Sequence, residues 1–306
     1  TAISADFIDS TVSYDIFDIQ GYVPSFNGFQ AQSATNTTFA IRGVGTSSQN
    51  YGFESSVGLY VDGIYRARQN AVINDLFDVS SVEVLRGPQG ALFGKNTPSG
   101  AVVINTTTPR HDARDGFVKI TVGNDQLYAA STAANFTAID DTLTFRIGGF
   151  TTQRDGIVDD AVLGQNTLND RDRSGAKLHA LYTPTDTLSV NVIVDYAQLD
   201  EACCAALTWP DNASAIDIPN QFGTDALLGS ASFNGTLFNT EQFNDNITAV
   251  NALPRSKMED RGVSVTLDWQ LSKQWRLASL TGIRRFDSLD DIDSDFSNVA
   301  LLQTRN

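Results

Sequence analysis

Apolar and polar residues alternate along several long segments in the second half of the chain. In LSVNVIVDYA (188–197) every second residue from Leu188 to Tyr196 is apolar, and DTLTFRI (141–147) and RGVSVTLDWQL (261–271) follow the same pattern. Successive side chains of a β-strand point to opposite faces of a sheet. The alternation therefore predicts strands that have one apolar face and one polar face.

About seven such strands are predicted, and the connections between them alternate in length. The strands lie near residues 116–122, 126–137, 142–154, 173–183, 187–199, 259–271 and 274–287. Tight turns at 138–142, 183–187 and 271–274 alternate with longer connections at 155–172, 200–258 and from 288 onward, with a short exception at 123–126. Short periplasmic turns and long outer loops are typical of an up-and-down barrel in an outer membrane.

Length and aromatic residues bear on a membrane location. No segment approaches the roughly 18–20 consecutive apolar residues of a transmembrane helix, whereas a membrane β-strand needs only about 9–11 residues of alternating polarity. Tyr182, Trp269 and Trp275 lie beside predicted tight turns, where the aromatic girdle of a barrel meets the lipid interface. In a soluble protein these residues would be core residues, and the pattern alone leaves both interpretations open.

The first part of the chain has a different character. Short β-like segments such as TFAIRGV (38–44) and GAVVINTTT (100–108) are separated by glycine-rich turns, a pattern that predicts a compact α+β module. The character changes near residue 110, and TTTPRHDARDG (106–116) is the predicted linker. We therefore divide the chain into residues 1–110 and residues 111–306.

Charge and motif spacing exclude several classes of function. The 21 Lys and Arg residues against 36 Asp and Glu give a formal net charge of −15, so a nucleic acid partner is not expected. A P-loop would need glycine at Gln89 and a hydroxyl at Asn96, and a dinucleotide fingerprint would need glycine at Ser48. With histidine only at His111 and His179 and no hydrolase motif, we predict no enzyme, no cofactor and no metal site, although catalysis by carboxylates alone stays open.

Two long segments resemble one protein family. LFDVSSVEVLRGPQGALFGKNTPSGAVVINTTT (76–108) resembles the plug signature of TonB-dependent outer-membrane receptors, and FAIRGVGTSSQNYGFESSVGLYVDGIYRAR (39–68) resembles the strand and turn that precede it. The resemblance implies an α+β plug domain at 1–110, followed by the first part of an antiparallel transmembrane β-barrel at 111–306. Family barrels have about 22 strands. Seven strands would leave an unpaired edge in lipid, so we expect a fragment that lacks the TonB box and most of the barrel.

The resemblance also implies a function and partners. A member of this family takes up a scarce nutrient across the bacterial outer membrane, most commonly a ferric siderophore, so any iron would be cargo rather than a cofactor. Its partners would be TonB with the ExbB–ExbD motor in the periplasm, the outer-membrane lipid and a metal chelate. Cobalamin or an oligosaccharide is an alternative substrate, and a passive porin or an adhesin is an alternative class that leaves the plug signature unexplained.

Candidate site residues follow from matching positions. In the family the apical plug loops contact the substrate, which here implies Gln30, Gln32, Gln49, Tyr51, Arg66 and Arg68. The two arginines are fixed cations suited to an anionic chelate. The resemblance further implies that Glu83 and Arg86 lock the plug to the barrel. Adjacent Cys203 and Cys204 lie in a predicted outer loop, where an oxidising environment permits a vicinal disulfide.

Overall fold

The computed structural model describes residues 1–30, 33–46, 54–69, 76–205, 207, 240–294, 297–300 and 302–305. The first part of the chain, elements β1 to β8, is called here the N-terminal unit. Its strands are β1 (Ala2–Ser4), β2 (Phe26–Gln30), β3 (Thr37–Ile41), β4 (Val44–Gly45), β5 (Val57–Val61), β6 (Ile64–Arg66), β7 (Val79–Arg86) and β8 (Gly100–Thr106). Its helices are α1 (Ala5–Ser10), α2 (Ile16–Ile19) and α3 (Gly90–Phe93), with a 3₁₀ turn at Gln20–Tyr22.

Two sheets build the N-terminal unit. The larger has the order β1-β7-β8-β5-β6, in which β5 and β8 run parallel and the other neighbours are antiparallel. The smaller has the order β2-β3-β4. One apolar core joins both sheets to the two N-terminal helices, and its fully buried members include Ile16, Phe39, Leu59 and Val82. The predicted α+β module is therefore observed.

Two turns show how the sequence sets the geometry of this unit. Asp62 and Gly63 both have positive φ, 50° and 79°, which closes the two-residue hairpin between β5 and β6. The Asp62 carboxylate then accepts hydrogen bonds from the backbone N–H (2.8 Å) and the hydroxyl (3.0 Å) of Thr106. Gly100 has a φ of 151°, and a Cβ there would overlap the carbonyl oxygen of Leu85. Only glycine fits this position without strain.

The second part of the chain forms a single large sheet, called here the wall. Its strand order is β19-β18-β17-β15-β14-β11-β10-β9, and all neighbours are antiparallel. The strands are β9 (Gly116–Val122), β10 (Tyr128–Ile139), β11 (Leu143–Arg154), β14 (Arg171–Thr185), β15 (Leu188–Glu201), β17 (Arg255–Gln270), β18 (Arg276–Asp293) and β19 (Gln303–Arg305). The seven long strands confirm the seven that alternation predicted.

The long connections carry structure that the alternation did not predict. Strands β12 (Val158–Asp160), β13 (Gly164–Leu168) and β16 (Ile247–Thr248) form a small sheet in the order β13-β12-β16, and helix α4 spans Thr240–Asn244. This sheet lies at the end of the wall opposite the tight turns, because the connections that hold it join the other ends of the strands. No helix among the described residues is both long and apolar enough to cross a membrane.

The two faces of the wall differ in polarity. One face exposes apolar side chains and faces away from the N-terminal unit; it includes Ile147, Leu178, Val194, Val263 and Ile283. Beside the tight turns, Tyr182, Trp269 and Trp275 are 42%, 40% and 71% exposed. They are therefore not core residues, and their positions agree with the aromatic girdle rather than with a soluble core. The opposite face is polar and contacts the N-terminal unit.

Candidate functional site

The candidate site is the junction between the N-terminal unit and the polar face of the wall. Its first contact is built on Asp15, which is fully buried. One oxygen of this carboxylate caps α2 by accepting from the N–H of Phe17 at 2.9 Å. The other oxygen accepts from Arg171 at 2.9 Å and from Arg173 at 3.2 Å, both at the start of β14. Arg173 also pairs with Glu201 at the end of β15.

A second contact is built on Asp78, which directly precedes β7. Its carboxylate accepts from Arg146 of β11 at 2.7 Å and lies 3.4 Å from the ammonium of Lys177 of β14. The three side chains are only 1%, 7% and 6% exposed. Lys177 also lies 5.2 Å from the centre of the Phe77 ring. Such a buried group of charges is stable only while each charge keeps its partner.

A third contact is built on Arg66, the last residue of β6. Its guanidinium lies 3.2 Å from Asp260 of β17 and 3.5 Å from Asp195 of β15. Arg284 of β18 pairs with the same two carboxylates, at 2.6 Å for Asp195 and 2.8 Å for Asp260. A cavity of about 120 Å³ lies beside this cluster, between the hairpin at Asp62 and the wall.

These contacts correct one prediction. Arg66 was expected in a loop that contacts the substrate, but its side chain is 7% exposed and engaged by two carboxylates of the wall. The reason is that the segment around Arg66 forms a strand paired with β5, which aims the side chain at the wall. Arg66 therefore joins the N-terminal unit to the wall and is not available to a ligand.

The segment at 33–37 forms a fourth contact, at the end of the wall that carries the long connections. The backbone N–H of Ala34 donates to the hydroxyl of Ser256 at 2.9 Å, and the Thr35 hydroxyl donates to the Asp290 carboxylate. Ala34 also packs in a small apolar cluster with Cys203 and with Leu199 and Met258 of the wall. Cys203 and Cys204 are joined by a disulfide, so the cysteine pair lies directly against this segment.

The other predicted apical residues have separate surroundings. The amide of Gln30 donates to the carbonyl oxygen of Ala34 at 3.0 Å and braces the 33–37 segment from within the N-terminal unit. Arg68 follows β6 and is exposed. Gln32, Gln49 and Tyr51 lie outside the described residues.

Glu83 and Arg86 were predicted to lock the first part of the chain to the second. Glu83 accepts a hydrogen bond from Asn105 of the neighbouring strand at 3.3 Å, and Arg86 is exposed at the end of β7. Their locking role stays a prediction. Within the described chain, Asp15, Asp78 and Arg66 make the buried ion pairs to the wall.

Two ionisable groups outside the apolar band of the wall are shifted by burial. Burial raises the pKa of Asp170, in the connection before β14, to about 6. The same carboxylate accepts from the N–H of Ala202 at 2.6 Å, which fixes the segment that leads to Cys203. Burial also raises the pKa of Tyr60 above its usual value, and its hydroxyl donates to the carbonyl oxygen of Phe93 at 2.9 Å.

Comparison with known proteins identifies the N-terminal unit. Residues 1–101 match the family model of the TonB-dependent receptor plug domain. Residues 1–101 are a TonB-dependent receptor plug domain. The N-terminal unit is therefore the plug, and the wall has the fold of the N-terminal part of a receptor β-barrel. These matches confirm the predicted fold class and outer-membrane location.

Several relatives are named as receptors. The chain is 37% identical over 106 residues to the pesticin receptor of Yersinia pestis, a match that covers 35% of this chain and 15% of that protein. It is 29% identical over 140 residues to the ferrioxamine receptor of Yersinia enterocolitica, covering 45% of this chain and 19% of that one. The chain thus spans a minor part of the length of these relatives.

Solved structures show the same fold. The ferric yersiniabactin uptake receptor FyuA from Yersinia pestis superposes with a TM-score of 0.78 at 19% identity, over 96% of this chain and 42% of that one. The ferric-catecholate import receptor Fiu from E. coli K12 in its open form gives a TM-score of 0.69 at 15% identity, over 95% of this chain and 39% of that one. At these identities the likeness concerns the arrangement of plug and barrel.

The buried plug contacts at Asp15 and Asp78 were missed by sequence reasoning, although a signal existed. Arg146 and Lys177 occupy polar positions of strands that alternation predicts. A charged side chain on the inner face of a membrane strand needs a partner of opposite charge. That signal indicates that acidic partners exist in the plug, but it does not single out Asp15 and Asp78 among the other acidic residues there.

Proposed function

We propose that the receptor to which this chain belongs takes up a ferric siderophore across the outer membrane, driven by TonB and the ExbB–ExbD motor. The observation that supports an energised gate is the attachment of the plug to the wall through the buried charges of Asp15, Asp78 and Arg66. Removing one partner of a buried ion pair costs about 3–5 kcal/mol. A plug held this way needs an external source of energy to move, which a passive porin does not have.

The substrate class is supported by the names of the relatives and by charge. The ferrioxamine receptor and the catecholate siderophore receptor Fiu are named for iron chelates. Arg68 is an exposed cation beside the apical segments of the plug, and a guanidinium suits the carboxylate or catecholate oxygens of such a chelate. The proposed substrate contacts are Gln30, Gln32, Gln49, Tyr51 and Arg68, and Arg66 is removed from that set.

Two further predictions remain part of the proposal. Glu83 lies in the middle of β7 and Arg86 ends that strand, and we retain both as a second lock to the barrel. We also retain the division into a plug at 1–110 and a barrel portion at 111–306. The match to the plug family model over residues 1–101 supports it.

The experiment that tests the function measures binding and uptake by the full-length receptor. Purified receptor is titrated with ferric hydroxamate and catecholate siderophores, cobalamin and oligosaccharides, and uptake of the ligand that binds is measured in cells with and without TonB. We expect binding of a ferric siderophore and uptake that requires TonB. Binding of oligosaccharides or cobalamin alone would contradict the substrate class, and uptake that persists without TonB would support the passive porin.

A further inference from the structure

The segment 107–115 joins the last strand of the plug, β8, to the first strand of the wall, β9. The plug holds its first residue, because the backbone N–H and the hydroxyl of Thr107 both donate to the carbonyl oxygen of Asp78, at 2.9 and 3.2 Å. The preceding residue, Thr106, donates in the same two ways to the Asp62 carboxylate. The plug therefore fixes its own end of the chain as far as Thr107.

The wall holds the rest of this segment, beginning at Arg110. The buried side chain of Asn135, in β10, accepts from the backbone N–H of Arg110 at 3.1 Å. Its amide group donates to the carbonyl oxygens of Arg110 and Ala113, at 2.9 and 2.5 Å. The backbone N–H of Asn135 donates to the carbonyl oxygen of Asp115 at 2.7 Å. One asparagine thus uses both its acceptor and its donors on this segment, which fixes the path of the segment along the wall.

His111 provides a second attachment to the wall. Its Nδ1 lies 2.7 Å from the hydroxyl of Thr144 in β11, and its Nε2 lies 2.6 Å from the hydroxyl of Thr183 in β14. Its carbonyl oxygen accepts from the hydroxyl of Thr137 in β10 at 3.1 Å. The ring therefore bridges two neighbouring strands next to the tight turns. Together the two attachments bind the segment to β10, β11 and β14.

Only Thr108 and Pro109 lie between the last residue that the plug holds and the first that the wall holds. An extended chain spans at most about 3.3–3.6 Å per residue, so the three residue steps from Thr107 to Arg110 reach about 11 Å. If the wall released its part of the segment, the nine steps from Thr107 to Gly116 would reach about 30 Å. The attachment to the wall therefore shortens the tether of the plug about threefold.

We propose that residues 110–115 stay with the wall when the plug moves, and that the plug turns about a hinge formed by Thr108 and Pro109. The end of β8 then stays within about 11 Å of Arg110, beside the tight turns. The 33–37 segment contacts the opposite end of the wall, so it moves farther than the residues near the hinge. The hinge depends on contacts within the chain and is therefore independent of the substrate.

The test is amide hydrogen exchange of the full-length receptor in detergent, resolved to single amides over a series of urea concentrations. Amides that open in one cooperative event share an opening free energy and a urea dependence. The Thr107 amide reports on the plug side of the hinge, and the Arg110 amide reports on the wall side. Wild type is compared with Asn135→Ala, which removes an attachment to the wall. Asn105→Ala is the matched control, because Asn105 donates to two side chains of β7 inside the plug, at 3.0 and 3.3 Å.

In wild type we expect the Thr107 amide to open with β7 and β8, and the Arg110 amide to open with β10 and β11. Asn135→Ala should raise the opening equilibrium at Arg110 about tenfold or more, because hydrogen bonds to the segment are lost. Asn105→Ala should leave it as in wild type. Opening of Arg110 together with β7 and β8 in wild type would overturn the proposal. So would unchanged opening in Asn135→Ala, or an equal increase in Asn105→Ala. If Asn135→Ala fails to fold, His111→Ala, which removes the bridging ring, is judged by the same outcomes.

Discussion

Replacing Asp78 with asparagine tests whether buried charge holds the plug to the barrel wall. Asparagine has the same shape as aspartate and tolerates the positive φ of 52° at this position. The backbone around residue 78 is therefore left without added strain. What changes is the charge: Arg146 and Lys177, which are 7% and 6% exposed, lose the carboxylate that faces them both.

The expected cost follows from these contacts. Removing one partner of a buried ion pair costs about 3–5 kcal/mol, because the remaining charge stays buried without compensation. Two features place the cost of Asp78→Asn near the lower end of this range. The asparagine carbonyl still accepts one hydrogen bond, and Arg146 keeps Asp115 at 3.2 Å. A loss of about 3 kcal/mol raises the population of the opened plug about a hundredfold.

Amide hydrogen exchange in the full-length receptor measures this population. The opening free energy of the amides in β7 and β8 is compared between wild type and Asp78→Asn. Glu54→Gln is the matched control, because it also removes a carboxylate paired with a lysine in the plug, but Glu54 and Lys95 are 61% and 74% exposed. In Glu54→Gln the amides of β7 and β8 should exchange as they do in wild type. The reasoning is refuted if Asp78→Asn exchanges like wild type, or if both variants accelerate exchange equally.

Three further predictions concern the plug and its outer side. Gly100→Ala should destabilise the plug sheet by about 3 kcal/mol, because the new Cβ meets the Leu85 carbonyl oxygen at a φ of 151°; a lower urea midpoint for the plug would show it. Arg68→Gln should weaken binding of an anionic ferric chelate about tenfold, and unchanged affinity would remove Arg68 from the proposed contacts. Asp170 has a folded pKa raised to about 6, so the folded state binds its proton more tightly and stability falls as the pH rises from about 4 to about 6. The opening free energy at the Ala202 amide, obtained after correcting exchange rates for their intrinsic rise with pH, should fall over that range in wild type and stay level in Asp170→Asn.

The wall was predictable because lipid and plug impose opposite polarity on its two faces. The presence of an apolar residue at every second position located all seven long strands. Two strands extend farther at their outer ends than predicted: β17 starts at Arg255 rather than near 259, and β18 continues to Asp293 rather than ending near 287. These ends carry charged residues such as Lys257 and Asp291, which interrupt the apolar alternation. They are held instead by the backbone ladder and by ion pairs such as Arg255 with Asp200.

The junction was less predictable because its partners are far apart in sequence. Asp78 and Arg146 are separated by 68 residues, and Asp15 and Arg173 by 158. No local pattern marks such pairs. The role of Arg66 was predicted wrongly for a related reason. The direction of its side chain depends on the register of the hairpin that Asp62 and Gly63 close. That register also sets the direction of every other side chain in β6.

The three buried contacts of the plug differ in what each leaves behind when the plug moves. If Asp15 or Asp78 withdraws, arginine and lysine side chains of the wall lose a buried counter-charge. If Arg66 withdraws, Asp195 and Asp260 are still paired with Arg284 at 2.6 and 2.8 Å. Arg173 in the same way keeps Glu201 if Asp15 withdraws. Among the described residues, the ion pair of Lys177 is with Asp78. Since an uncompensated buried charge is the main cost of breaking such a contact, separation at Asp78 costs the wall most.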